Sequence, residues 1–135
     1  MEEMNDVRYP LDPDTPTSHL PFSPCVVVGN LVFVSGQASV DKSGKIISDT
    51  FAGEFKRSIE NIEAVLKTAG CSLKNVVQTR NYVGKEAYLQ EYNALYRDTF
   101  PDPKPARTTI IDCLGDALKY EIECIAVIPT PSEMS

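Results

Sequence analysis

Arg107 stands between a proline-stiffened approach, "FPDPKPA" with Pro101, Pro103 and Pro105, and the β-branched run Thr108 to Ile111. Two readings are open for it. It is a surface cation pairing with Asp102 or Asp112, or it is a clamp for a carboxylate. The second needs a planar pair of donors that stays charged when desolvated, and guanidinium supplies both. The prolines would hold such a clamp in place at low entropic cost.

Glu121 and Glu123 open the segment "YEIECIAV", 120–127. Spaced i, i+2, they share one face of a strand with Ile125 and Val127, while Tyr120, Ile122, Cys124 and Ala126 form the other. A carboxylate heading an otherwise apolar face is a candidate general base with a raised pKa. Two edge glutamates in water are the plainer alternative, and pattern alone favours it. "SGQ", 35–37, ends the strand and offers either a plain turn or backbone N–H groups facing an anion. Asn93 lies among apolar residues of the second helix and reads as a satisfied helix-surface amide. Ser23 has no histidine–acid pair to activate it, since the only histidine, His19, lies in a proline-flanked loop and is expected to be solvated. Cys25, Cys71, Cys113 and Cys124 are irregularly spaced without a CxxC, so no metal site is expected. Cys25, Cys113 and Cys124 fall in apolar strand patterns, where a reduced thiol behaves as a small hydrophobe, and this points to a cytoplasmic protein.

These groups must be carried by a regular scaffold. Residues 1–24 hold five of the ten prolines and are expected to be irregular. "CVVVGNLVFVSGQ" predicts a hairpin with a positive-φ pair at Gly29-Asn30, and "DKSGK" at 41–45 a second turn. Phe51, Phe55, Ile59, Ile62, Leu66 and Ala69 form one helical stripe over 50–69, with Asp49 or Thr50 as cap and Gly70 beyond its end. A strand over 75–83 follows. A second helix over 86–100 turns Leu89, Tyr92, Leu95, Tyr96 and Phe100 inward, and strands at 108–113 and 120–127 close the chain. Two helices cover one face of one sheet. Yet Val32 and Val34 alternate with Leu31 and Phe33, so the strand is apolar on both faces. The uncovered face therefore calls for an apolar partner, and a second copy of the chain is the simplest.

The 135 residues suit a single domain, 1–135, with 1–20 as an irregular N-terminal segment. Hydrophobic and charged contents of 42% and 24% are those of an ordinary globular protein. The net charge of −6 argues against a partner that is a nucleic acid, and no apolar run is long enough to suggest a membrane.

Taken in order, "GNLVFVSGQ", "SIENIEAVLKTAGCSLKNVV", "YNALYRDTF", "KPAR" and "YEIECIA" resemble the RidA (YjgF) family of reactive-intermediate deaminases, over about residues 20–128. The resemblance implies a chorismate-mutase-like α+β fold with a mixed sheet and two helices on one face. It implies a homotrimer with sites between subunits, and cofactor-free hydrolysis of 2-imino and enamine acids to 2-oxo acids and ammonia. Matching residues then take roles: Arg107 holds the substrate carboxylate, Glu121 positions the attacking water, and Ser35, Gly36 and Asn93 line the pocket. Phe22 and Leu20 stand where the best-known members have the tyrosine and glycine of "GPY", and this phenylalanine resembles the 3-aminoacrylate deaminase branch. Thr109 replaces a common cysteine. Two other functions compete with the deaminase: a regulatory trimer that binds a 2-oxo acid without turnover, and an endoribonuclease or translation inhibitor.

Overall fold

The computed structural model describes residues 6–13, 15 and 19–133; the expectations for the rest of the N-terminal segment and for residues 134–135 lie outside them. The chain forms one six-stranded sheet backed by two helices. Strands β1 (Val7–Arg8), β2 (Cys25–Val28) and β3 (Leu31–Ala38) lead to helix α1 (Phe51–Thr68). Strand β4 (Val76–Val83), helix α2 (Leu89–Thr99), β5 (Ala106–Ile111) and β6 (Tyr120–Val127) complete it. The spatial order is β1-β2-β3-β6-β4-β5, with every pairing antiparallel except β4–β5. That parallel pair is joined through α2, as a parallel connection requires.

The helical stripe of α1 reads as expected: Phe51, Phe55, Ile59, Ile62 and Leu66 are buried. Thr50 is the cap, its hydroxyl accepting from the Gly53 N–H at 3.1 Å. In the second helix a 3₁₀ turn over Glu86–Tyr88 precedes α2. Tyr92, Tyr96 and Phe100 are buried and Leu89 and Leu95 half-buried. Opposite them, β6 alternates as predicted: Tyr120, Ile122, Cys124 and Ala126 lie in the core, and Glu121, Glu123, Ile125 and Val127 face away.

Several expectations are corrected. The N-terminal segment contributes an edge strand, β1, because Gly29 N–H donates to the Asp6 carbonyl and Arg8 reaches the Gly29 carbonyl. At the hairpin Gly29 alone has positive φ (+60°), so Asn30 does not complete a positive-φ pair. "SGQ" neither ends β3 nor turns: β3 runs on to Ala38 with its register to β6 shifted between Val34 and Gln37, a bulge that re-aims the chain. β5 starts at Ala106, two residues earlier than expected, and Asp112 leaves it at φ +64°. Arg107 is thus a strand residue and Cys113 an exposed loop thiol, whereas Cys71, which had no strand pattern, is buried.

Beneath α2 a polar chain crosses the core. Tyr96 and Thr79 hydroxyls lie 2.7 Å apart, Asn81 Nδ2 donates to Thr79 Oγ1 at 3.0 Å, and the Tyr120 hydroxyl donates to Asn81 Oδ1 at 2.5 Å. Removing one member strands its buried partner. Asn81→Val is expected to cost about 1–3 kcal/mol in chemical denaturation, whereas Asn81→Val with Tyr120→Phe, which removes donor and acceptor together, should recover part of that loss.

Candidate active site

The structure sorts the predicted site residues into two groups on opposite faces of the sheet. The first is built on β5 and α2. Thr79 on β4, which pairs with Arg107, turns its hydroxyl into the core toward Tyr96, so Arg107 leaves the sheet on the helix side. Its guanidinium carbon lies 4.9 Å from the ring centres of both Tyr92 and Tyr96. Two residues on, Thr109 Oγ1 is 2.7 Å from the Tyr92 hydroxyl. Arg107 is exposed and pairs with neither aspartate foreseen for it: Lys104 approaches Asp102 at 3.6 Å, and no ion pair links Arg107 to Asp112. Asn93 follows Tyr92 on α2, half-buried.

The second group lies on the uncovered face, around β6 and the β3 bulge. Glu121 is half-buried, and burial first and the charge of Glu123 second push its carboxyl pKa up. The two glutamates differ in their surroundings. Glu123 accepts a 2.7 Å hydrogen bond from the Tyr82 hydroxyl and lies 3.4 Å from Arg80. Glu121 folds over Gly36: a Cβ added at Gly36 would lie 2.2 Å from Glu121 Oε2, so the absence of a side chain there makes room for the carboxylate. Ser35, beside it, donates its hydroxyl to the Ser23 carbonyl at 2.6 Å and its N–H to the Pro24 carbonyl. This ties the loop carrying Phe22, which is exposed, to the same edge of the sheet. His19 is exposed as expected.

Within one chain, then, the two carboxylate-handling groups do not meet. Phe22, Ser35, Gly36 and Glu121 share the open face and its edge, while Arg107 and Thr109 sit against the helix layer. Strand β4 lies between β5 and β6. The open face is apolar around Glu121 and Glu123: Leu31 (39%), Phe33 (41%), Val77 (47%) and Ile110 (40%) stay exposed there. A depression of about 140 Å³ on it is lined in part by Phe33, Arg80, Glu123 and Ile125. Sequence reading named Tyr92 and Tyr96 as core residues and missed their contact with Arg107. The signal was their i, i+4 spacing, but only the pairing of β5 to β4 places Arg107 against those rings. The cluster of Arg80, Tyr82 and Glu123 was missed as well, because it depends on the register of β4 against β6.

The comparisons with known proteins agree with this architecture. The sequence model of the family described as endoribonuclease L-PSP matches residues 13–128. Human 2-iminobutanoate/2-iminopropanoate deaminase is 32% identical over 109 residues, which cover 79% of this chain and 80% of that protein. The chain belongs to the RidA/YjgF family. Among other RidA relatives, the mitochondrial protein mmf2 of Schizosaccharomyces pombe is 37% identical over 110 residues, covering 78% of this chain and 86% of that one. The crystal structure of RidA from an Antarctic Psychrobacter superposes with a TM-score of 0.82 at 27% identity, covering 90% of this chain and 99% of that one. The α+β sheet with two helices is therefore the RidA fold. Among the described residues no helix is long and apolar enough to cross a membrane.

The geometry around Glu121 yields two expectations. A carboxyl whose folded-state pKa is raised is disfavoured when ionised, so the cost to folding is absent where it is protonated in both states and grows as pH rises through the raised value. Glu121→Gln, always neutral, should match wild-type stability below about pH 4 and exceed it at pH 7 in denaturant titrations. Gly36→Ala should fold normally, since the atom it meets is the mobile end of Glu121. It should displace that carboxylate, read as a downward shift of the Glu121 pKa in carboxyl-carbon NMR titration.

Proposed function

We propose that the protein is a cofactor-independent hydrolytic deaminase of small imine or enamine acids, working in clefts where Arg107 of one copy meets Glu121 of another in a homotrimer. The observation that carries this reading is that both groups are present and neither is taken up in an ion pair. Arg107 has no carboxylate partner among the described residues, and Glu121 has no hydrogen-bond partner there. They lie on opposite faces of one sheet, so a second copy is the means of bringing them together. The apolar open face supplies a reason for such an assembly, because large hydrophobic residues left in water favour association.

The chemistry needs only these parts. Arg107 binds the substrate carboxylate with two parallel donors and fixes where the C=N carbon lies. Glu121 takes a proton from water as its oxygen adds to that carbon, and a raised pKa suits it to the task near neutrality. Glu121 returns that proton to the nitrogen to give the carbinolamine, whose hydroxyl proton then passes to the amine as the C–N bond breaks, and 2-oxo acid and ammonia leave with Glu121 ionised again. An enamine such as 3-aminoacrylate enters the same sequence once protonation at carbon converts it to the imine. Phe22 is placed at the sheet edge beside Ser35 and offers an apolar wall. Thr109 lies two residues beyond Arg107 on β5, bonded to the Tyr92 hydroxyl, and Asn93 follows Tyr92 on α2. Relatives named for mitochondria and chloroplasts show the family in several compartments, and the mechanism does not depend on which one holds this chain.

The test is a panel of 2-imino acids and 3-aminoacrylate generated in situ, with ammonia release as readout. Two charge-assisted hydrogen bonds at about 1.5–3 kcal/mol each put about 3–6 kcal/mol at stake in Arg107→Ala, a fall of roughly 10²–10⁴ in kcat/KM. Arg107→Lys keeps the charge without the fork and should restore only part. Glu121→Gln should keep its affinity for an inert 2-oxo acid while losing most turnover. In wild type, kcat/KM should fall as acid protonates Glu121, with a midpoint above the ordinary carboxylate value of about 4.3. Light scattering should give a mass near three times 14.9 kDa. Binding of 2-oxobutyrate without turnover of any imine would favour the regulatory trimer instead.

A further inference from the structure

We infer that Tyr92 and Tyr96 are positioning residues for Arg107, forming a rigid two-ring platform that aims its guanidinium before any substrate arrives. The inference deepens the proposed reading and rests on Arg107 as the carboxylate clamp. Arginine carries much rotamer entropy, and an exposed one with no ion pair would ordinarily sample many conformers. Here both rings lie 4.9 Å from the guanidinium carbon. Both tyrosines are buried, 0% and 4% exposed, so each ring offers one fixed face rather than a mobile contact.

The rings are held by more than the arginine, although Arg107 also interacts with the Tyr92 hydroxyl. The Tyr92 hydroxyl is tied to Thr109 on β5, the strand that carries Arg107. The Tyr96 hydroxyl is tied to Thr79 on β4, and through Asn81 to Tyr120 on β6. Tyr96 is also packed on Phe100 at 4.5 Å between ring centres, and on Tyr92 edgewise at 5.9 Å. Each ring is thus pinned at its hydroxyl end to the sheet and along its length to α2. Guanidinium has five N–H donors, so contact with the two rings still leaves a pair of them for a carboxylate. A preorganised fork loses less freedom on binding, and the gain appears as affinity.

The experiment measures affinity for 2-oxobutyrate, KM and kcat in the assembled full-length protein, for Tyr96→Phe, Tyr96→Leu, Arg107→Ala and the double variant Tyr96→Leu/Arg107→Ala. It adds the order parameter of the Arg107 Nε–H bond by nuclear relaxation in ligand-free wild type. The platform predicts an order parameter above about 0.6, the range of ordered groups, although the side chain is exposed. Loss of cation–π contacts in Tyr96→Leu should raise KM and weaken 2-oxobutyrate binding about five- to thirtyfold with kcat little changed. Tyr96→Phe keeps the ring face but loses its tie to Thr79, so it should lose stability and weaken binding less than Tyr96→Leu does. In the Arg107→Ala background Tyr96→Leu should have no further effect on binding, because the two residues act as one unit.

An order parameter below 0.6, or an equal Tyr96→Leu effect with and without Arg107, overturns the platform while leaving the clamp in place. An Arg107→Ala variant that binds and turns over as wild type overturns the clamp itself. Should Tyr96→Leu not fold, the wild-type order parameter decides alone.

Discussion

Strand β6 has neighbours on both sides, β3 and β4, and its two-residue alternation governs the layout of the molecule. Tyr120, Ile122, Cys124 and Ala126 point under the helices and leave no freedom for Glu121 and Glu123, which must point the other way. A slip of one residue would put both carboxylates into the core and four apolar side chains onto the open face. The register of β6 against β4 is held by the core itself, through Tyr120 bonded to Asn81 and Ile122 opposite that residue. Placement of the acid is therefore a consequence of how the hydrophobic core is filled.

The same constraint separates acid from base within a chain. Along β4, Thr79 and Asn81 face the helices with β5 beside them, whereas Arg80 and Tyr82 face outward beside Glu123 and Glu121. Arg107, in line with Thr79, is drawn to the helix side and onto aromatic rings. Glu121, in line with Tyr82, is drawn to the open side. One sheet thus keeps a cation and a carboxylate from neutralising each other by a short intramolecular ion pair, and each remains available for a ligand.

The environments of the two glutamates divide their chemistry. Glu123 accepts a hydrogen bond from the Tyr82 hydroxyl and lies beside Arg80. Glu121, lying over Gly36 in a partly desolvated position beside Glu123, has its pKa raised. Two carboxylates two residues apart on one strand therefore have different surroundings, one bonded to its neighbours and one lying over a glycine. The β3 bulge is part of this arrangement, since it brings a glycine under Glu121 and anchors the loop of Phe22 through Ser35.

The sequence by itself determined the elements and their faces: the stripe of α1, the alternation of β6 and the inward row Tyr92, Tyr96, Phe100. These follow from local periodicity, which a single chain displays without reference to its partners in space. It also determined that Arg107, Glu121, Ser35 and Gly36 were worth attention, from residue type and from the resemblance in their order. It misplaced the start of β5 and read the bulge at "SGQ" as a strand end, because bulges and strand limits depend on the neighbouring strand's register rather than on local composition. It assigned Cys113 to a strand for the same reason. Only the tertiary structure decided which side of the sheet each candidate occupies, that Arg107 rests on Tyr92 and Tyr96, and that Gly36 lies beneath Glu121. Those contacts join residues from 11 to 85 positions apart. Strand pairing brings them together through hydrogen bonds of the backbone, which carry no side-chain signature in the sequence.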